Sequence, residues 1–194
     1  MTDTMNFRKY IPNGITFVRI ALTLALIFVV PCSIPFFILY TFCGITDVLD
    51  GWLARRWKVT SDFGSRLDSV ADLTFYTVAL VRLVPILKRV LPIFVWCFIA
   101  GILALRAVGY LVVFLKYHRF AAVHTYANKT SGLAVFTVPF WVLWADMGIV
   151  GTVICAVSGY AAAEELWIHL AARDYDPSVK AFWQLASRQK TKEA

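Results

Sequence analysis

The chain has 194 residues, 60% of them hydrophobic and only 16% charged, with a formal net charge of +7. Soluble domains hold about 45–50% apolar and about 25% charged residues, so this composition excludes an ordinary water-soluble core and points to a membrane bundle. The basic residues fall between apolar runs rather than in one patch, which argues against nucleic acid and for loops that face anionic head groups and phosphates.

Six apolar segments follow one another, each near the length a bilayer crossing requires. A polar opening, MTDTMNFRKYIPNG, leads straight into them, and no cleavable signal peptide is expected. The first segment runs from about 15 to 30 and stops at Pro31, with Pro35 closing a tight turn. The second starts near 36 and enters the 47–54 region; the third starts near Asp68 and fades near Pro85. The fourth covers about 91–115, the fifth about 133–144 and the sixth about 149–166. Only Ala145-Asp146-Met147-Gly148 separates the last two, which predicts an antiparallel hairpin. The expected fold is therefore an all-α integral membrane protein of six transmembrane helices, one domain over residues 1–194, with a short polar tail from about 173.

Arg8 and Lys9, then Arg55, Arg56, Lys58 and Arg66, then Lys116, Arg119 and Lys129, then the basic tail all fall on one side of a six-span layout. The positive-inside rule makes that side cytoplasmic, with both termini on it, although Lys88 and Arg89 fall opposite. The four cysteines are scattered, with no CxxC pair or zinc spacing, and read as small buried hydrophobes.

Chemistry concentrates in Asp47-Val-Leu-Asp50-Gly51-Trp-Leu-Ala54-Arg55 and, eight residues on, Gly64-Ser-Arg-Leu-Asp68-Ser-Val-Ala-Asp72. Helical spacings of three and four put each carboxylate pair on one face. One pair ends the second span and the other begins the third, so antiparallel packing gathers all four at the cytoplasmic membrane boundary. Carboxylates there cost about 2.5–3.5 kcal/mol each even on lenient scales, and they repel one another, so cations must sit among them. Oxygen ligands on rigid helices suit two Mg²⁺ or Mn²⁺ ions; the alternative is ordinary loop charges paired with Arg55, Arg56 and Arg66. Gly51, Ala54 and Gly64 leave a small surface that a bulky group can approach, and the Arg55 fork suits a diphosphate.

The pattern D-x2-D-G-x2-A-R-x8-G-x3-D-x3-D resembles the signature of the CDP-alcohol phosphatidyltransferase family, with every position filled. Pro12-Asn13, Thr16 and Arg19 are similar to the P-N-x2-T-x2-R opening of many members. The resemblance implies transfer of a phosphatidyl group from a CDP-linked lipid such as CDP-diacylglycerol to an alcohol, with release of CMP. It further implies that the aspartates hold two divalent metals, that Asp72 is also the general base, and that Asp47, Gly51, Ala54, Arg55, Gly64 and Asp68 meet the CDP moiety. A homodimer is common among members.

Arg106, Arg119 and Lys129 are candidate contacts for the acceptor head group, with Asn128 standing where a Gly is frequent beside Lys129. Glu164 and Glu165, at the end of the sixth span, are expected to face cytosol or pair with a basic loop, and Arg82 is expected to snorkel or pair. Ser69-Val-Ala71 after Asp68 is closer to phosphatidylserine synthases, which leans the acceptor toward serine or a small polyol. Glycerol 3-phosphate or an inositol phosphate is the alternative. Rivals of another class are a cation transporter and a non-catalytic membrane partner.

Overall fold

The structure, a computed structural model, describes residues 2–57, 61–117 and 125–171; the described side chains exclude those of residues 2–10, 54, 55, 62 and 117. Six helices follow one another: α1 (Thr2–Ala25), α2 (Ile34–Trp57), α3 (Asp62–Val90), α4 (Ile93–Tyr117), α5 (Tyr126–Trp141) and α6 (Met147–Ala171). The stretches Ile34–Leu53, Phe63–Val90, Ile93–Lys116 and Met147–Ala171 are long and apolar enough to cross a membrane. No strand occurs among the described residues, so this is an all-α membrane fold. The apolar part of α1, Ile11–Ala25, and the 16-residue α5 are shorter. Phe28, Ile34, Ile93 and Trp144 are among many large apolar side chains that point outward, an arrangement that lipid tolerates and water penalises.

Polar residues start the helices. Ser61 Oγ accepts from the Gly64 N–H at 3.1 Å, Thr125 Oγ1 from Asn128 N–H at 3.1 Å, and Asp146 Oδ1 from Gly148 N–H at 2.7 Å, each satisfying a donor the first turn leaves open. Several boundaries differ from the sequence expectation: α1 already starts at Thr2, α3 at Asp62 and α5 at Tyr126, and α6 runs on to Ala171. The first apolar run continues to Val30, yet α1 ends at Ala25, and the Arg82 guanidinium on α3 donates to the Val29 carbonyl just beyond. A side chain far along the sequence thus supplies a donor to a carbonyl of the connection between α1 and α2. At Pro85, α3 does not fade but runs to Val90, because a helix in lipid that stopped there would strand its carbonyls.

The chain forms two compact units, Met1–Arg89 and Val90–Ala194. In the first, α1 and α2 pack antiparallel, with Thr23 level with Cys43 and Thr16 with Asp50. Helix α3 runs parallel to α1, joined by Arg19 to Asp68 and by Arg82 to Val29, and its Phe75 ring lies 5.2 Å from Tyr40 of α2. In the second, α4 and α6 run parallel, since Val95 meets Gly151 and Arg106 meets Glu165, while α5 is antiparallel to α6 through the 2.9 Å Ser131–Ser158 hydrogen bond. The expected α5–α6 hairpin is present, with a turn from Val142 to Asp146.

Small residues let α6 approach its neighbours: Gly151, Cys155, Ser158 and Ala162 recur at helical spacing on its buried face. A Cβ on Gly151 would lie 2.9 Å from Val95 Cγ1 and 3.0 Å from Leu91 Cδ2. Gly151→Leu is therefore expected to destabilise the protein by about 1–3 kcal/mol. A fall of several degrees in unfolding temperature in detergent is the expected reading, and an unchanged temperature would show that α4 and α6 can separate freely.

Candidate active site

Helix α2 carries Asp47, Asp50 and Gly51, α3 carries Gly64, Asp68 and Asp72, and α1 carries Asn13, Thr16 and Arg19. The spacings of three and four do place each carboxylate pair on one face, and the antiparallel run of α1 against α2 brings Arg19 level with them. The four aspartates gather around that one guanidinium. Arg19 pairs closely with Asp47 and Asp68, lies 3.0 Å from Asp72 Oδ1 and 3.3 Å from Asp50 Oδ2. It is 1% exposed, so the carboxylates replace the water it has lost.

The four acids are not equivalent. The Asp50 side chain is 5% exposed, whereas those of Asp47, Asp68 and Asp72 are 48%, 45% and 43% exposed. Asp50 therefore forms the floor of the cluster, fixed by the Thr16 hydroxyl, which donates to its Oδ2 at 2.9 Å. The other three leave one side of the cluster open to an approaching molecule. Asp47, Asp50 and Asp68 each offer one oxygen, and these oxygens lie within 4.8 Å of one another. Converging hard oxygen donors of this kind fit a divalent cation.

Gly64 has a definite packing role, since a Cβ there would lie 2.8 Å from Asn13 Oδ1 and 3.2 Å from Ser61 Oγ. Its missing side chain lets the start of α3 sit against Asn13 of α1. Gly51 is half-buried one residue after Asp50. Ala54 and Arg55 lie in the last turns of α2, and their side chains are outside the described residues. Among the described residues, the ion pairs of the aspartates go to Arg19, not to Arg56 or Arg66, which are exposed.

Arg19 is the site residue that sequence reasoning undervalued. It entered only as the last position of the opening motif, yet its place seven residues after Pro12 and three after Thr16 was the signal that it shares a helical face with both.

A second polar group lies in the other unit. Arg106 Nη2 donates to Asn128 Oδ1 at 3.1 Å, Asn128 Nδ2 donates to Glu165 Oε2 at 3.0 Å, and Arg106 Nη1 lies 3.4 Å from that same oxygen. Glu165 is thus buried against α4 and α5 rather than facing cytosol or a basic loop, because the Arg106 charge inside an apolar helix needs a partner at its own depth. Glu164 is buried too. Lys129 is exposed in the first turn of α5 and does not join this network, in which its neighbour Asn128 takes part. Arg119, His118, His124, Lys58 and the tail from 173 lie outside the described residues.

The family model described as CDP-alcohol phosphatidyltransferase matches residues 9–169. A protein of Pectobacterium atrosepticum named CDP-diacylglycerol–glycerol-3-phosphate 3-phosphatidyltransferase is 42% identical over 78 residues, 37% of this chain and 42% of its own length. One of the same name from Yersinia pestis has the same identity and coverage. Another from Haemophilus influenzae is 48% identical over 54 residues, 27% of this chain and 29% of its own length. The similarity thus spans less than half the length of these curated relatives. No solved structure matches the chain.

Proposed function

Because the chain belongs to the CDP-alcohol phosphatidyltransferase family, we propose that it transfers a phosphatidyl group from CDP-diacylglycerol to an alcohol, with release of CMP. The observation that carries this reading is the convergence of Asp47, Asp50 and Asp68 oxygens within 4.8 Å beside a half-exposed Asp72. In this reading Asp47, Asp50, Asp68 and Asp72 hold two Mg²⁺ or Mn²⁺ ions, which supply positive charge opposite the diphosphate as it breaks. Gly51, Ala54, Arg55 and Gly64, with Asp47 and Asp68, meet the CDP moiety. Asp72 takes the proton from the acceptor hydroxyl, whose oxygen bonds to the lipid-side phosphorus while the bond from that phosphorus to CMP breaks. The family match runs through both compact units, which supports one functional domain over 1–194. The same reading places both termini in the cytoplasm, the site at the cytoplasmic boundary of a plasma or inner membrane crossed six times, and the chain in a homodimer.

For the acceptor, the names of the relatives support glycerol 3-phosphate, with Arg106, Arg119 and Lys129 as contacts for its phosphate. A second reading, serine, is favoured by the Ser69-Val-Ala71 run that follows Asp68. CMP release assayed with glycerol 3-phosphate, serine, inositol phosphate and inositol separates the two. If glycerol 3-phosphate is the acceptor, Arg106→Gln is expected to raise its KM at least about tenfold, roughly the loss of one charge-assisted contact, and Glu165→Gln is expected not to raise it. CMP release with serine and not with glycerol 3-phosphate would support the serine reading, and release with none of the acceptors would count against the transfer itself.

A further inference from the structure

We propose that Arg19 is a built-in counter-cation of the metal-free aspartate cluster, which divalent metal must displace, so that Arg19 sets a deliberately weak metal affinity. The inference rests on the metal-holding role proposed above. Its basis is that one guanidinium, 1% exposed, pairs with Asp47, Asp50, Asp68 and Asp72 at once. Three of these are the acids whose oxygens converge within 4.8 Å, so the guanidinium and a metal ion compete for the same lone pairs. Charge balance points the same way. Without metal, four carboxylates crowded at a membrane boundary leave Arg19 as the cation that offsets their repulsion among the described residues. With two divalent ions present the four carboxylates are already neutralised, and the Arg19 charge becomes a repulsive surplus within the same cluster. Arg19 Nε is buried and without a hydrogen-bond partner among the described residues, so the polar contacts of the side chain are made by its Nη ends. Moving the guanidinium tips off the carboxylates therefore breaks no hydrogen bond at Nε.

The test is the affinity of the purified full chain in detergent for Mn²⁺ alone, read by titration calorimetry and by thermal unfolding with and without chelator. Arg19→Gln is expected to bind Mn²⁺ at least about tenfold more tightly than the unaltered protein, a change of about 1.4 kcal/mol. It is also expected to unfold at a lower temperature in chelator and to gain more from added Mn²⁺. Arg19→Lys keeps the charge on a compact head that cannot span four carboxylates, and its affinity is expected to fall between the two. If Arg19→Gln folds only when purified with Mn²⁺ and unfolds on chelation, the counter-cation role is likewise supported; if it does not fold at all, the Lys variant carries the comparison. Equal or weaker Mn²⁺ binding by the variants would overturn the inference and make Arg19 a residue that arranges the ligands. An absence of Mn²⁺ binding by the unaltered protein as well would instead remove the metal-dependent reading on which it rests.

Discussion

Asp72→Asn is expected to lower the rate of CMP formation by about 10²–10⁴-fold, the range typical for loss of a general base. The substitution keeps the shape of the side chain and an oxygen able to accept from Arg19, which lies 3.0 Å away, so the packing of α1 against α3 should survive. What the amide cannot do is take up a proton. Asp72 is suited to that task because its side chain is 43% exposed on the open side of the cluster, where an acceptor hydroxyl can reach it. Two readouts separate a lost base from a weakened ligand. Raising Mn²⁺ restores activity if only metal binding was impaired, and it does not if the proton acceptor is gone. Unchanged unfolding temperature in chelator would exclude a structural cause. An activity within about twofold of the unaltered protein would remove Asp72 from the base role.

Asp50→Asn is expected to abolish measurable transfer for a different reason. Asp50 is the buried floor of the cluster, and its Oδ2 serves both the Thr16 hydroxyl at 2.9 Å and Arg19 at 3.3 Å. An asparagine that keeps its oxygen on those two donors turns its NH₂ the other way, and an amide NH₂ is a donor that cannot ligate a cation. If it flips instead, the NH₂ faces two donors in a site shut off from water, at a cost of about 1–3 kcal/mol for the unsatisfied groups. The first orientation takes a negative charge from the ligand set, and the second takes an oxygen as well. The expected result is a Mn²⁺ affinity lowered by at least about tenfold, roughly one charged ligand's contribution, together with a modest loss of thermal stability. Unaltered Mn²⁺ binding would place the metal on other residues.

Much of the site was legible because its chemistry is local in sequence. Asp47 with Asp50 and Asp68 with Asp72 are related by helical periodicity, so their common faces follow from spacing once α2 and α3 are helices. The requirement for a cation among them also followed from charge alone, but its identity did not. Arg19 lies 28 residues from Asp47 and 49 from Asp68, and which neighbour an α1 side chain meets depends on packing that spacing does not encode. The same holds for Glu165. Its place near the end of an apolar run reads as a surface charge, and only the parallel packing of α4 on α6 reveals Arg106 as its partner, 59 residues away. The end of α1 was not legible either: it falls at Ala25 inside an apolar run, and the Val29 carbonyl beyond it meets Arg82, 53 residues away.

The proposed reaction is a metal-dependent phosphatidyl transfer at the aspartate cluster of α2 and α3. The most direct test is CMP release from CDP-diacylglycerol by the purified full chain in detergent, with the acceptor panel present, first in chelator and then with excess Mn²⁺ or Mg²⁺. The expected result is CMP release that needs both an acceptor and a divalent ion, vanishes in chelator and returns when metal is added back. Release that persists in chelator, or no release from a folded protein with any acceptor and either metal, would contradict it.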